Sequence, residues 1–317
     1  MSNLYSALMR RGLAGSRRKT VAIETEEGLG YSYQDLDHAS GRIANWLASL
    51  SLEEGARVAV QVEKSPEAVM LYLACLRAGL TFIPLNTAYR AGEMDYFLKD
   101  AGPSVVVCDP SSLGWIQPLA AAAGARAVMT LGAHRDGTLL AEAAPFPDRH
   151  HVQSVSPDHL AAILYTSGTT GNPKGAMLTH LNVVHSVLHF VHCMPLAQGI
   201  RSILAVPASH VTGLIANIAS VIGCAGTTII MPVFKAGAFI QLAARERMEY
   251  SILVPAMYKL CLMDESLRES DLSHWRLGGY GGAPMPVSTI DELSLRLPNL
   301  QLMNAYGATE TCSPTTL

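Results

Sequence analysis

Residues 160–175 read LAAILYTSGTTGNPKG, an apolar run followed by a loop rich in glycine and in hydroxyl side chains. The continuous apolar run predicts a buried β-strand. Glycines let backbone amides approach an anion closely, and the hydroxyl residues and the lysine add further donors. The spacing is not that of the nucleotide P-loop, because Asn172 and Pro173 separate the last glycine from Lys174. The stretch therefore predicts another kind of polyphosphate-binding loop, which we expect between a strand and a helix.

Apolar runs alternate with longer helical patterns along the chain. The predicted strands are 57–62, 104–108, 160–166, 202–206, 226–231 and 250–255. The predicted helices are 33–50, 65–78, 91–101, 180–194, 236–248 and 256–264. This alternation predicts an α/β fold with two mostly parallel sheets flanked by helices. The polar, turn-rich stretch 132–158 predicts a boundary between a first α/β subdomain, 1–156, and a second, 157–317, which would carry the phosphate loop and a nucleotide pocket.

Composition limits the classes of function. The 317 residues carry 23 Lys+Arg against 26 Asp+Glu, which gives no general attraction for nucleic acid, so we expect no nucleic-acid partner. The six cysteines form no CxxC pair, which favours reduced thiols in the cytoplasm. The mitochondrial matrix is the alternative, because no acid precedes Glu24. Residues 202–234 lack charge, but glycines and prolines interrupt them, so we expect a strand, a buried helix and a strand rather than a membrane span.

The loop at 164–175 resembles the phosphate loop YTSGTTGxPKG of the adenylate-forming (AMP-binding) superfamily, which includes the acyl-CoA synthetases. Five other segments resemble segments of that superfamily in the same order: 31–36, 76–86, 207–213, 281–284 and 304–310. The resemblance covers nearly the whole chain and implies the N-terminal domain of the family's fold. Residues 58–98 look most like malonyl-CoA synthetases, whereas 281–286 look more like fatty or aryl acyl-CoA ligases.

The resemblance implies a ligase that forms acyl-AMP and pyrophosphate from a carboxylic acid and Mg-ATP, and then acyl-CoA. ATP, Mg²⁺ and coenzyme A are the implied cofactors and co-substrates. We expect the family's C-terminal domain, with its catalytic lysine, to lie outside these 317 residues, and we expect this truncated chain to be weakly active or inactive. The alternatives are an adenylation module that loads a carrier protein and a non-catalytic nucleotide-binding fragment. Residues 208–210 carry no acid that would bind a substrate ammonium group, which disfavours amino-acid activation.

The resemblance also implies roles for individual residues. Catalytic roles are implied for Lys174, His210 and Glu310. The implied phosphate-binding residues are Thr166, Ser167, Gly168, Thr169, Thr170, Gly171 and Lys174. The implied adenine- and AMP-binding residues are Gly281, Gly282, Ala283, Pro284, Asn304, Ala305, Tyr306, Gly307 and Thr309. The implied acyl pocket contains His210, Val211 and Tyr280, and the implied Mg²⁺ ligands are Glu310 and Thr170.

Two questions stay open in the sequence. His185, His189 and His192 have the spacing of one helix face and could suit zinc or nickel, although no Cys or acidic residue between 180 and 192 completes such a set. The acid is also undetermined, because a dicarboxylate needs a cation for its distal carboxylate and Lys259 stands near the place where an arginine would be expected. The oligomeric state is not predicted.

Overall fold

Two α/β units make up the chain, each with its own sheet and its own buried core. The computed structural model describes residues 3–166 and 171–316. The first unit runs from the start of the described chain to Ala7 and from Tyr33 to Val184. The second unit contains Leu8–Ser32 and the described residues from His185 onward.

The secondary structure alternates between strands and helices. The described strands are β1 (Val21–Thr25), β2 (Gly30–Ser32), β3 (Arg57–Gln61), β4 (Thr81–Pro84), β5 (Val105–Cys108), β6 (Ala127–Thr130), β7 (Leu160–Thr166), β8 (Lys174–Thr179), β9 (Arg201–Leu204), β10 (Thr227–Ile230), β11 (Tyr250–Leu253), β12 (Leu277–Tyr280) and β13 (Gln301–Asn304). The described α-helices are α1 (Leu4–Gly12), α2 (Tyr33–Ser49), α3 (Pro66–Arg77), α4 (Ala91–Ala101), α5 (Leu113–Ala122), α6 (Thr138–Ala143), α7 (His180–Cys193), α8 (Ser220–Gly223), α9 (Ala236–Arg245), α10 (Pro255–Met263), α11 (Ser266–Glu269) and α12 (Val287–Arg296). A π-helical segment, Thr212–Ala219, precedes α8.

Both sheets are mostly parallel. In the first unit the strand order is β6-β5-β3-β4-β7-β8, and β8 runs antiparallel to β7. In the second unit the order is β13-β12-β11-β9-β10-β1-β2, and β2 runs antiparallel to β1. All four residues of β5, VVVC, are buried, as expected of a parallel strand covered by helices on both faces. The predicted α/β class with two mostly parallel sheets is therefore confirmed.

The predicted strands and helices all appear, with ends within three residues of the predicted ones. Local chemistry explains several of these ends. At the start of α3 the Ser65 hydroxyl accepts a hydrogen bond from the Ala68 amide at 3.1 Å. At the start of α4 the Glu93 carboxylate accepts one from the Arg90 amide at 2.8 Å. Gly102 ends α4 in the left-handed conformation, with φ of 51°.

The observed division differs from the predicted ranges 1–156 and 157–317. The hairpin β7–β8 extends the first sheet, because β7 pairs with β4 at Phe82 and Ala162. The first unit, and not the second, therefore carries the candidate phosphate loop. Conversely, β1 pairs with β10, which brings Leu8–Ser32 into the second unit. The turn-rich stretch 132–158 belongs to the first unit.

The uncharged stretch 202–234 forms part of β9, the π-helical segment, α8 and β10, in the order that its glycines and prolines predict. Across residues 3–166 and 171–316, no helix combines the length and apolarity needed to cross a membrane.

Candidate functional site

The candidate phosphate loop connects the two strands of a hairpin in the first unit. Thr166, the last residue of β7, pairs with Lys174, the first residue of β8. Because β7 runs parallel to β4, the loop leaves the carboxyl end of a parallel strand, the edge at which α/β folds usually bind ligands. Four predicted phosphate-binding residues lie outside the described residues: Ser167, Gly168, Thr169 and Thr170.

The loop is followed by a strand, and the expectation of a helix immediately after it is wrong. β8 occupies Lys174–Thr179, and α7 begins only at His180. Residues 174–179 pair antiparallel with β7 as the edge strand of the sheet, so among the described residues the loop leads into a strand and not into a helix N-terminus. Lys174 and Gly171 are exposed, and Thr166 is half-buried. In the described part of the hairpin, an anion could therefore be bound by the Lys174 and Thr166 side chains and by backbone amides of the loop.

Helix α4 contacts both ends of this loop. The Tyr96 hydroxyl donates a hydrogen bond to the Pro173 carbonyl at 2.8 Å. The Tyr165 hydroxyl donates to the Asp100 carboxylate at 2.6 Å. Burial, reinforced by Asp100, raises the pKa of Tyr165, which keeps its phenol protonated as a donor. Tyr96 and Asp100 are not among the predicted site residues, because their spacing on a helix does not indicate what they contact.

In the second unit, the other candidate residues follow four neighbouring parallel strands. The strands β13, β12, β11 and β9 lie side by side in that order. The segment 304–310 begins at the end of β13, 281–284 follows β12, Val254 follows β11, and His210 lies in the loop after β9. Parallel strands present their carboxyl ends at one edge of a sheet, so the fold gathers the predicted adenine and acyl residues at that edge.

Close backbone packing joins the two candidate adenine-binding segments. Tyr280 is the register partner of Asn304, and the Ala305 amide donates to the Tyr280 carbonyl at 2.7 Å. A Cβ on Gly281 would lie 2.5 Å from the Ala305 carbonyl oxygen, so this position requires glycine. Beyond this contact Gly282, Ala283 and Pro284 are exposed. The two segments therefore form a rigid base with an open outer surface.

Tyr306 presents its ring to solvent while its backbone is fixed. The residue is 69% exposed. Its amide donates to the Thr316 carbonyl at 3.0 Å, and its carbonyl accepts from the Thr315 amide at 2.8 Å. An exposed aromatic ring on a fixed backbone can stack on a base without losing packing elsewhere. Asn304 and Gly307 are exposed beside it in sequence, and Ala305 is buried.

Glu310 offers a carboxylate near the end of this segment. It lies in a short 3₁₀ turn, Thr309–Thr311, and is exposed, while Thr309 is half-buried. Mg²⁺ commonly takes one or two carboxylates and completes its shell with phosphates and water, so a single glutamate fits such an ion. Within the described ranges, no group of three His, Cys, Asp or Glu is arranged to hold a metal ion. His185, His189 and His192 are exposed on α7.

His210 is exposed, and its imidazole is hydrogen-bonded to Thr212. Its Nδ1 accepts a hydrogen bond from the Thr212 amide at 3.2 Å, an arrangement that in the neutral imidazole leaves the ring proton on Nε2. Desolvation by the surrounding loop lowers the pKa of His210. A Cβ on Gly213 would lie 2.2 Å from the Pro207 carbonyl oxygen, so glycine lets the loop fold back over the start of the π-helical segment. Of the predicted acyl-pocket residues, Val211 is buried and Tyr280 half-buried.

Several known proteins are similar to this chain. A feruloyl-CoA synthase from Amycolatopsis is 31% identical over 283 residues, which are 89% of this chain and 55% of that protein. The long-chain-fatty-acid–CoA ligase FadD13 of Mycobacterium tuberculosis is 30% identical over 313 residues, or 98% of this chain and 61% of that protein. The crystal structure of ATP-bound MatB from Rhodopseudomonas palustris superposes with a TM-score of 0.92 and 38% identity, covering 98% of this chain and 61% of that one. The chain thus spans a little over half the length of these proteins. The profile of the AMP-binding enzyme family matches residues 10–317, and the chain belongs to that family.

Proposed function

We propose that the chain is the nucleotide-binding part of an ATP-dependent carboxylic acid:CoA ligase. In the first step a carboxylate oxygen of the acid attacks the α-phosphorus of ATP, and the bond to pyrophosphate breaks as the acyl-AMP bond forms. In the complete enzyme the thiolate of coenzyme A then attacks the acyl carbonyl and releases AMP. The observation that carries the proposal is the exposed Tyr306 ring on a fixed backbone, beside the Gly281–Pro284 turn at the carboxyl edge of the second sheet.

Each candidate residue has a role that its surroundings permit. Tyr306 would stack on adenine, with Gly281–Pro284 as the facing wall and Asn304 at the base edge. Lys174, Thr166, Gly171 and the loop amides would hold the β- and γ-phosphates. Ser167 to Thr170, which lie outside the described residues, keep the phosphate and metal roles that the family resemblance implies.

Magnesium and the substrate carboxylate would be bound by separate groups. Glu310 would bind Mg²⁺, which when present neutralises charge on the phosphates. Because the Nδ1 of His210 accepts from the Thr212 amide, its Nε2 would be the donor to a carboxylate oxygen, so we assign His210 to orienting the acid rather than to proton transfer. Val211 and Tyr280 would line the acyl pocket.

Carboxylate-dependent ATP–pyrophosphate exchange tests the proposal on the 317-residue chain. The acids to compare are malonate, acetate, octanoate, benzoate and a mixture of amino acids, and AMP and ATP binding are measured in parallel. We expect nucleotide binding, and slow exchange with one class of non-amino acid. Glu310→Gln should abolish the exchange, whereas Glu265→Gln, at another exposed position of the second unit, should leave it unchanged.

Other results would favour the alternatives. Exchange with amino acids alone would indicate a module that loads a carrier protein. Binding of ATP and AMP without exchange for any acid would indicate a non-catalytic nucleotide-binding chain. A chain that binds neither nucleotide would contradict the proposal.

A further inference from the structure

Helix α4 of the first unit is hydrogen-bonded to residues at both ends of the candidate phosphate loop. Tyr96 reaches Pro173, directly before β8, and Asp100 accepts from Tyr165, near the end of β7. Tyr96 and Asp100 are one helical turn apart on α4, so a single helix face makes both contacts. The hydrogen bonds join residues 77 and 65 positions apart in sequence, and neither belongs to the backbone ladder of the sheet.

Phe97 makes this helix face rigid. Its side chain is buried, and its ring centroid lies 4.5 Å from that of Tyr165 and 5.5 Å from that of Tyr96. The ring centroid of Tyr89 lies 4.8 Å from that of Phe97. Such aromatic contacts orient each ring, so the Tyr96 and Tyr165 hydroxyls are already aimed at their acceptors.

The two bonds differ in kind. The bond from Tyr165 ends on a carboxylate, which makes it the stronger, charge-assisted type. The bond from Tyr96 ends on the carbonyl of a proline, which has no backbone N–H, so this carbonyl is the only main-chain polar group through which Pro173 can be held. Together they fix the two ends from which a glycine-rich loop departs.

We propose that Tyr96 and the Asp100–Tyr165 pair are positioning residues that hold the two described ends of the candidate phosphate loop, Pro173 and Tyr165, in place for binding the pyrophosphate portion of ATP. This inference rests on the proposed function. A glycine-rich loop loses much conformational entropy when it is ordered around a ligand. Ties that order its ends before binding reduce that loss and so raise affinity. Neither tyrosine hydroxyl needs to touch the nucleotide.

The test compares two tyrosine-to-phenylalanine variants. Tyr96→Phe removes only the hydroxyl that reaches Pro173. Tyr89→Phe is the matched control, because its ring also packs on Phe97 while its hydroxyl has no hydrogen-bond partner among the described residues. Calorimetric titrations of the 317-residue chain with magnesium pyrophosphate, Mg-ATP and AMP provide the first measurement. Loss of one hydrogen bond should weaken pyrophosphate and ATP binding about three- to tenfold, and AMP binding should not change.

The rate of tryptic cleavage after the exposed Lys174, without nucleotide, provides the second measurement. We expect Tyr96→Phe to be cleaved faster than the wild type, and Tyr89→Phe at the wild-type rate. Equal cleavage rates and equal pyrophosphate affinities in the two variants would overturn the positioning role. An equal loss of AMP and ATP affinity in Tyr96→Phe would also overturn it, because that pattern indicates general loosening. A wild type that binds neither ATP nor pyrophosphate would refute the proposed function, and the cleavage rates would still decide whether Tyr96 restrains the loop.

Discussion

The two units hold their candidate residues in different ways. In the first unit, side chains of α4 reach across to the ends of a hairpin loop and bond to it. In the second unit, the candidate segments follow directly from neighbouring strands, and backbone contacts such as Ala305 to Tyr280 fix them. The difference indicates that substitutions of single side chains should loosen the first arrangement, whereas the second should be sensitive to added volume at its glycines.

Among the substitutions that compare the two units, the largest expected effect is at the candidate phosphate loop of the first unit. Lys174→Ala removes the one cation of the candidate loop, and we expect the exchange rate to fall about 100-fold, as on loss of a preorganised charge-stabilising donor. ATP–pyrophosphate exchange with the most active acid provides the measurement. Lys19→Ala, at an exposed position of the second unit, is the control. An unchanged rate in Lys174→Ala would show that the loop does not hold the leaving pyrophosphate.

A glycine substitution tests the backbone packing of the second unit. Gly281→Ala would place a methyl group 2.5 Å from the Ala305 carbonyl oxygen, so we expect a loss of about 2–3 kcal/mol in the free energy of unfolding. Urea denaturation provides the measurement. Gly114→Ala is the control, because no atom lies within 4 Å of its added Cβ in α5, and it should be neutral or stabilising by up to about 1 kcal/mol. Similar stabilities for the two variants would contradict the tight packing.

A buried histidine makes the stability of the first unit depend on pH. The Nδ1 of His180 accepts from the Leu4 amide at 2.9 Å, and burial, with a smaller contribution from His159, lowers the pKa of His180 to about 4. Because His180 binds a proton more weakly in the folded chain than in the unfolded chain, its contribution to the free energy of unfolding is fully present above the ordinary histidine pKa of about 6.5. This contribution is lost as the pH falls toward 4. We therefore expect the wild type to lose about 2 kcal/mol from this group between pH 7 and pH 4.5.

His180→Gln removes this titration, and urea denaturation at several pH values measures the effect. Its unfolding free energy should vary less between pH 7 and pH 4.5 than that of the wild type. The exposed His134 provides the control, and His134→Gln should keep the wild-type dependence. Identical pH dependence in the two variants would mean that His180 does not titrate as its burial indicates.

The smallest expected effect is at the open surface of the second unit. Tyr306→Ala should weaken AMP binding about tenfold, the lower end of what a base–aromatic stack contributes. Because the ring is 69% exposed, the melting temperature should hardly change. Tyr306→Phe keeps the ring and should bind AMP normally. A calorimetric titration with AMP distinguishes these cases, and normal binding by Tyr306→Ala would exclude stacking on this ring.

The sequence predicted the architecture well where strands are long, apolar and buried. Continuous apolar runs such as VVVC at 105–108 and LAAILYT at 160–166 predict buried strands in an α/β chain, and both are strands. Several other strands were not predicted, among them TFIP at 81–84 and LGGY at 277–280, which contain Pro or Gly. Proline and glycine usually interrupt strands, and here register with a neighbouring strand outweighs local preference.

The site was predictable as a set of segments but not as a set of contacts. Gly281 and Tyr306 stand out in sequence because they belong to short motifs, and the parallel order of β12 and β13 then brings those motifs together. The predicted boundary failed because strand partners are non-local: nothing near residues 21–25 indicates that they pair with β10. The role of Tyr96 was not predicted for the same reason, because its hydrogen-bond partner Pro173 is distant in sequence.

The pairing of β1 with β10 has a consequence for synthesis on the ribosome. Ile23 is the register partner of Thr228, and residues 33–184 of the first unit are made between them. At about 5–20 residues per second, β1 waits roughly 10–40 s for its partner strand. During that time β2, which pairs with β1 locally, covers only the opposite edge of β1, and the edge that will pair with β10 is exposed to other nascent chains. The early hairpin therefore halves the unpaired edge of β1, and the remaining edge is the site of aggregation risk until β10 is made.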